Sequence, residues 1–380
     1  MSIRPYSAGK AATAAPDRAQ VALVSWRGAV GGAETQSHLI AREFRNRGID
    51  ASIVFIEHGG PLTQRLDRDC VPWCTLGLSR GSAVLARPRR LLKALNALGP
   101  HGVILPDVGF LIAAIRTGGY RAALIGVDHG ALLQLSNLSS IKQIRLHAGR
   151  GVAARFQYEH VAVSQSMRDE IERRGMRSRC TVIYNGIDLP RAYAPPSVGP
   201  GEPLTIGAAG RLIANKGFEH AIRALTGQPT RLRIAGDGPD RARLEAIAVE
   251  IGVQAQVEFL GWVHDIGSFW RSCHVGIVPS EYTESFGLAA VEAMGAARPV
   301  IGSQLPALAE VIGTSGLLVP QSDSSAIADA IKRLATEPGL LHKLALRARA
   351  RTEDLFDIRT TADAYGRLLR LDTKRLTRGP

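Results

Sequence analysis

From Val21 onward the chain repeats one pattern: a short apolar run, a polar or glycine-bearing break, then apolar positions returning at helical spacing. The runs Val21 to Trp26, Ser52 to Ile56, Val103 to Leu105, Ala122 to Val127 and Val161 to Val163 have strand length. They are nearly unbroken Val, Ile, Leu and Ala, as strands covered on both faces require. Strands alternating with helices predict a parallel sheet wrapped by helices. Five of the twenty prolines fall between Pro190 and Pro203 (with Pro195, Pro196 and Pro200), which predicts a linker there. The rhythm then restarts with Leu204 to Ala208, Leu232 to Ala235, Val257 to Leu260, Val275 to Val278, Val300 to Ile301 and Leu317 to Val319. The expected plan is α/β: a tail (1–20), a doubly wound Rossmann-like domain (21–189), a linker (190–203) and a second such domain (204–355). A helical segment (356–380) follows, placed to cross back to the first domain.

A length of 380 residues fits two domains of roughly 100 to 200 residues each. The 45% hydrophobic and 21% charged residues suffice for two cores and exclude wholesale disorder. No run approaches the ~20 apolar residues of a membrane span, and the first twenty residues lack the apolar centre of a secretory signal, so a cytoplasmic protein is expected. Cys70, Cys74, Cys180 and Cys273 form no disulfide or zinc framework and read as reduced, packed thiols. Charge is uneven: of the net +13, residues 1–188 carry +11 and residues 189–380 carry +2. The first half therefore faces something anionic: a membrane surface, nucleic acid or a phosphorylated substrate.

In doubly wound folds ligands bind beyond the carboxyl ends of strands, so the post-strand loops hold the candidate chemistry. Gly28-Ala-Val-Gly31-Gly32-Ala-Glu34 follows the first strand and opens a helix running to about Arg47; its glycines and helix amino end suit an anion or a tight turn alike. Gly210-Arg211-Leu-Ile-Ala-Asn-Lys216-Gly217 repeats that placement in the second domain, with two cations suited to a diphosphate. Gly236-Asp-Gly238-Pro239 reads as structural punctuation. The loop after Val275 to Val278 carries Glu284 and leads into a helix predicted to begin near Phe286, where Gly287 and Leu288 offer unpaired amides. Glu292 lies eight residues beyond Glu284, about 12 Å of helical rise, so the two carboxylates reach different parts of an extended hydroxyl-rich ligand.

These stretches occur in an order that resembles the family 4 glycosyltransferases. The matching stretches are Gly31-Gly32-Ala-Glu34, Asp128-His129, Ala162-Val-Ser164-Gln-Ser166, Val182-Ile-Tyr-Asn185-Gly186-Ile187-Asp188, Gly210-Arg211 with Lys216-Gly217, Gly236-Asp-Gly238-Pro239, Val257-Glu-Phe-Leu-Gly261, and Glu284 with Glu292. The resemblance implies the GT-B architecture of two Rossmann-like domains facing across a cleft. It also implies a retaining sugar transfer from a nucleotide-sugar donor to a glycan or lipid-linked acceptor in envelope or exopolysaccharide synthesis.

By that resemblance Arg211, Lys216 and the amides of Phe286, Gly287 and Leu288 hold the donor diphosphate, with Gly31 and Gly32 contributing from the first domain. Glu292 holds the ribose, Glu284 contacts the transferred sugar, and His129 is a sugar contact or catalytic helper. Two departures stand out: Asp128 precedes His129 where relatives have an acid following it, and Pro306-Ala307 replaces a Gly-Gly pair. No cofactor or metal is implied, and Asp67-Arg-Asp69 reads as part of a surface helix and not as a metal motif.

Basic runs at Arg87, Arg89, Arg90 and Lys93, and at Lys142, Arg145, Arg150 and Arg155, point to contact with an anionic membrane surface. They lack the interleaved aromatics of nucleic-acid binders, so no nucleic-acid partner is expected. A nucleotide-sugar epimerase on the same fold and an inactive nucleotide-binding scaffold are the alternatives, the second disfavoured by the intact Arg211, Lys216, Glu284 and Glu292 set.

Overall fold

The structure is a computed structural model that describes residues 20–29, 31–78, 88–106, 109–130, 148–149, 151–174, 180–191, 193–199 and 201–371. Its strands are β1 (Gln20–Ser25), β2 (Asp50–Phe55), β3 (Trp73–Thr75), β4 (Gly102–Pro106), β5 (Ala123–Asp128), β6 (Glu159–Ala162), β7 (Cys180–Val182), β8 (Leu204–Ala209), β9 (Thr230–Ala235), β10 (Val257–Gly261), β11 (Val275–Val278), β12 (Val300–Ser303) and β13 (Gly316–Val319). Helices are α1 (Gly32–Asn46), α2 (Leu62–Arg68), α3 (Pro88–Leu98), α4 (Gly109–Thr117), α5 (Gln165–Arg173), α6 (Phe218–Arg223), α7 (Arg241–Glu250), α8 (Ile266–Arg271), α9 (Leu288–Gly295), α10 (Pro306–Ile312), α11 (Ser324–Thr336), α12 (Pro338–Leu355) and α13 (Ile358–Leu368).

Two compact units result. The first comprises residues up to Val163, Arg168–Ile183 and the chain from Ile358, and the second comprises Ser164–Met167 and Tyr184–Asp357. In the first unit a parallel sheet runs β3-β2-β1-β4-β5-β6-β7. In the second a parallel sheet runs β10-β9-β8-β11-β12-β13. Both are doubly wound, with the strand order reversing after β1 and after β8 respectively. The apolar runs supply the sheets: β11 and β12 are buried at every residue. Helices contribute stripes, as α11 buries Ile327, Ala330, Ile331 and Leu334 against the second unit's core.

The segment from Ile358 lies with the first unit, where Arg47, the residue that caps the end of α1, pairs with Asp363 and donates to the Arg359 carbonyl at 3.1 Å. The proline-rich stretch expected as a linker at 190–203 is instead part of the second unit. Buried Arg298 donates to the Ala194 carbonyl at 2.8 Å, and buried Arg349 donates to the carbonyls of Pro190 (2.9 Å) and Gly295 (2.7 Å) while stacking over the Tyr193 ring. Val198 packs on the same core. Two guanidiniums thus bind carbonyls that prolines leave without ladder partners, and the division falls at Ile183–Tyr184. All four cysteines are free, but Cys70 is exposed at the end of α2 and only Cys273 is buried, so packing accounts for the second and not the first.

Candidate functional site

In the second unit the strand order reverses between β8 and β11, which pair through Val275↔Ile206 and Gly276↔Gly207. Neighbouring strands whose crossovers leave in opposite directions open a crevice at their carboxyl ends. The loop after β8 carries Arg211 and Lys216, and the loop after β11 carries Ser280, Glu281 and Glu284. The two are fastened together: the Glu281 amide donates to the Asn215 carbonyl at 3.0 Å. Gly217 (φ 63°) runs so close to the second loop that a Cβ would stand 2.0 Å from the Pro279 carbonyl oxygen.

From the other side the loop after β9 grips the Arg211 loop. The Leu212 amide donates to the Asp237 carbonyl (3.0 Å), and the Asp240 amide donates to the Leu212 carbonyl (3.1 Å). At Gly236 (φ 147°) a Cβ would fall 1.9 Å from the Gly210 oxygen. What reads in sequence as punctuation is therefore backbone-to-backbone contact behind the cationic loop.

Charges on this platform are arranged unequally. Lys216 Nζ lies 2.6 Å from Glu284 Oε2, an oxygen that also accepts from the fully buried Ser280 hydroxyl at 3.1 Å. His220 Nε2 on α6 stands 3.1 Å from Glu281 Oε1, and its Nδ1 stands 3.4 Å from the Ser324 hydroxyl. Arg211 is exposed and has no side-chain partner among the described residues. Among the described residues its charge is left uncompensated, and an uncompensated guanidinium beside a strand end is a ready anion contact.

The loop after β11 continues into α9, whose first helical residue is Leu288 with Gly287 (φ 95°) as its N-cap. The helix expected to begin near Phe286 thus starts two residues later, because the Phe286 ring is core. It packs against Tyr184 and Phe356 with ring centroids 6.1 and 5.6 Å away. Phe286 faces the site through its backbone alone. Among the described residues the amides of Phe286, Gly287 and Leu288 have no protein acceptor, as expected ahead of and within a first helical turn. Glu292 sits half-buried in the second turn of α9. Arg211, Lys216, Glu284, the three amides and Glu292 therefore all belong to the β8 and β11 crossovers. Ser280, Glu281 and, on α6, His220 join them, and nothing in the sequence marks any of the three as a site residue.

Gly31, Gly32 and His129 lie in the first unit. Gly31 caps α1, and a Cβ there would stand 2.6 Å from Glu34 Oε2, so the Glu34 carboxylate folds over the helix amino end. Burial pushes this carboxyl above its ordinary range, against the pull of its own amide and of Arg27. His129 follows β5, and Asp128 before it is buried and accepts from the Gly130 amide at 2.9 Å. Desolvation pulls the His129 imidazole down to about 4, so it is neutral at pH 7.

Between pH 6.5 and 4 the unfolded chain protonates this histidine and the folded chain resists. Stability is therefore fully present above pH 6.5 and lost as pH falls towards 4, by up to about 3 kcal/mol. In urea unfolding at pH 7.5 and 4.5, His129→Asn is expected to flatten the pH dependence. An unchanged slope would place the imidazole in a wetter setting.

Asp67 accepts from Trp73 Nε1 (2.9 Å), and Asp69 pairs with His38 Nε2 (2.7 Å), so both carboxylates of the Asp67-Arg-Asp69 run serve the packing around α2. Arg89, Arg90 and Lys93 are exposed on α3, whereas Arg87, Lys142, Arg145 and Arg150 lie outside the described residues, as does the tail to residue 19. No helix among the described residues is long and apolar enough to cross a membrane.

Two doubly wound units, the second with a cationic, amide-lined crevice at its switch point, define an α/β protein of the GT-B plan. A Glycosyltransferase Family 4 model matches residues 30–191 and a Glycosyl transferases group 1 model matches residues 203–337. The chain belongs to this glycosyltransferase family.

The lipopolysaccharide core biosynthesis glycosyltransferase LpsD of Rhizobium meliloti is 28% identical over 214 residues, 54% of this chain and 61% of LpsD. Glycogen synthase of Mycobacterium tuberculosis is 32% identical over 251 residues, 62% of this chain and 59% of that enzyme. The exopolysaccharide phosphotransferase SCO2592 of Streptomyces coelicolor is 35% identical over 178 residues, but the match spans only 18% of its length. The chain thus spans less than two thirds of these relatives. The fold is shared with Anabaena HepE, solved in complex with UDP and glucose: TM-score 0.78, 21% identity, covering 92% of this chain and 99% of HepE. It is also shared with sucrose-phosphate synthase of Thermosynechococcus elongatus: TM-score 0.75, 20% identity, 93% of this chain and 98% of that one.

Proposed function

We propose that this protein is a retaining glycosyltransferase that moves a hexose from a nucleoside-diphosphate donor to a glycan or lipid-linked glycan of the cell envelope. The observation that carries this reading is the switch point of the second unit. There Arg211 and the amides of Phe286 to Leu288, without partners among the described residues, and the Lys216–Glu284 pair lie in the loops beyond the carboxyl ends of β8 and β11. The names of LpsD and the HepE complex support the same class of donor and product.

In this reading Arg211 and the α9 amides take the β-phosphate and Lys216 is shared between phosphate and Glu284. Glu292 holds ribose hydroxyls. As the bond from sugar C1 to the β-phosphate oxygen breaks, negative charge grows on the leaving diphosphate, and fixed donors there lower the barrier electrostatically. The acceptor oxygen attacks C1 from the same face, and its proton passes to the departing phosphate oxygen. Glu284, tied at one oxygen by Lys216 and Ser280, orients sugar hydroxyls. Neutral His129 is available as a hydrogen-bond partner for the sugar.

These cations take the charge that a divalent ion would otherwise neutralise, so a chelator is expected to leave turnover intact. The reading is tested by slow hydrolysis of a panel of UDP, GDP and ADP sugars by the purified protein, with and without chelator. One nucleotide series should be cleaved above background, and no cleavage or binding of any member would overturn the assignment. The exposed Arg89, Arg90 and Lys93 extend the reading to an anionic membrane beside a lipid-linked acceptor. Equal flotation with neutral and anionic vesicles would remove that extension.

A further inference from the structure

Ser164 is fully buried, and its hydroxyl touches three groups. It lies 2.8 Å from the Ser285 carbonyl oxygen, 3.1 Å from the Met167 amide nitrogen and 3.1 Å from the Ser166 hydroxyl. A hydroxyl has one proton to give. The carbonyl can only accept and the amide can only donate, so that proton goes to Ser285 while the hydroxyl accepts from Met167 and Ser166. The segment is anchored a second time by Glu310, whose two carboxylate oxygens accept from the amides of Gln165 (2.6 Å) and Ser166 (2.9 Å). Arg351 holds the Glu310 and Val311 carbonyls in turn, at 2.6 and 2.8 Å.

A trans peptide is planar, so its carbonyl and the following N–H point in opposite directions. Holding the Ser285 oxygen against Ser164 turns the Phe286 N–H away from that anchor. The Phe286 amide finds no acceptor among the described residues, although the residue is only 2% exposed. A buried residue with an idle donor is uncommon unless something else takes the bond.

We propose that Ser164 is a positioning residue for the diphosphate: its hydroxyl locks the Ser285–Phe286 peptide so that the Phe286 amide faces the bound β-phosphate. The proposal rests on the donor reading above. Without the lock this peptide can rotate, and the amide row loses its first member while Arg211, Lys216 and the α9 turn stay in place.

The experiment is calorimetric titration of the full chain with whichever of UDP, GDP and ADP binds best, and with its monophosphate. The variants are Ser164→Ala and the nearly isosteric Ser164→Cys, whose thiol is a poor donor. Both are expected to lose about tenfold in diphosphate affinity, one hydrogen bond to a charged group, with the monophosphate unchanged. A merely structural role would lower both nucleotides together or neither, and either result overturns the proposal. Should the alanine variant fail to fold, the cysteine variant decides alone. If the wild-type protein does not prefer any diphosphate over its monophosphate, the donor reading itself falls and this inference falls with it.

Discussion

Replacing Arg211 by alanine is expected to lower sugar transfer or donor hydrolysis about 10²–10³-fold, the loss typical of removing one fixed donor from a site where charge grows in the transition state. The larger part should appear in kcat, because the leaving diphosphate is more negative in the transition state than in the bound donor. Arg211 has no side-chain partner among the described residues, so truncation leaves no stranded carboxylate and the fold should be untouched. Lys216 differs: its removal frees Glu284, whose charge then repels the diphosphate. Lys216→Ala should therefore cost more in donor affinity than Arg211→Ala, and the double variant Lys216→Ala with Glu284→Gln should recover part of that difference. Initial rates and calorimetry decide the matter. Wild-type kcat in a folded Arg211→Ala protein would remove the diphosphate from this loop.

The second large effect is conformational. Gly217→Ala is expected to destabilise the protein by about 2–4 kcal/mol and to abolish turnover, because the added methyl meets the Pro279 oxygen at 2.0 Å as well as a left-handed backbone. Relief requires the β8 and β11 loops to part, which separates Lys216 from Glu284. Gly227 offers the control: its φ is 75°, but nothing lies within 4 Å of a Cβ. Gly227→Ala should show only the conformational cost of about 1 kcal/mol, with activity retained. Equal urea midpoints for the two variants would mean that contact between the loops carries no weight.

Strands such as β11 and β12 are legible because burial on both faces demands unbroken apolar residues, and Val275 to Val278 and Val300 to Ile301 supply them. β3 and β7 escape that reading. They are edge strands of three residues, half-buried, and Trp73-Cys-Thr75 and Cys180-Thr-Val182 carry no such run. The described residues of the proline-rich stretch 190–203 form neither helix nor strand. The prolines say nothing of the guanidiniums of Arg298 and Arg349, about a hundred residues and more away in the chain, that bind this segment into the second unit. At Phe286 an aromatic residue beside a glycine looks like the start of a helix, whereas packing against Tyr184 and Phe356 holds it outside one.

By itself the sequence determined the two parallel sheets, the loops that bear Arg211, Lys216 and Glu284, and the family, since periodicity and glycine placement are local properties. Only the tertiary structure decided that Lys216 is spent on Glu284 while Arg211 has no side-chain partner among the described residues, that Glu34 covers the amino end of α1, and that Ser164 reaches the Ser285 carbonyl. These partners stand far apart in the chain or turn on side-chain direction. Which of two like-charged residues is neutralised depends on distances of a few ångströms, set by the packing of whole crossovers.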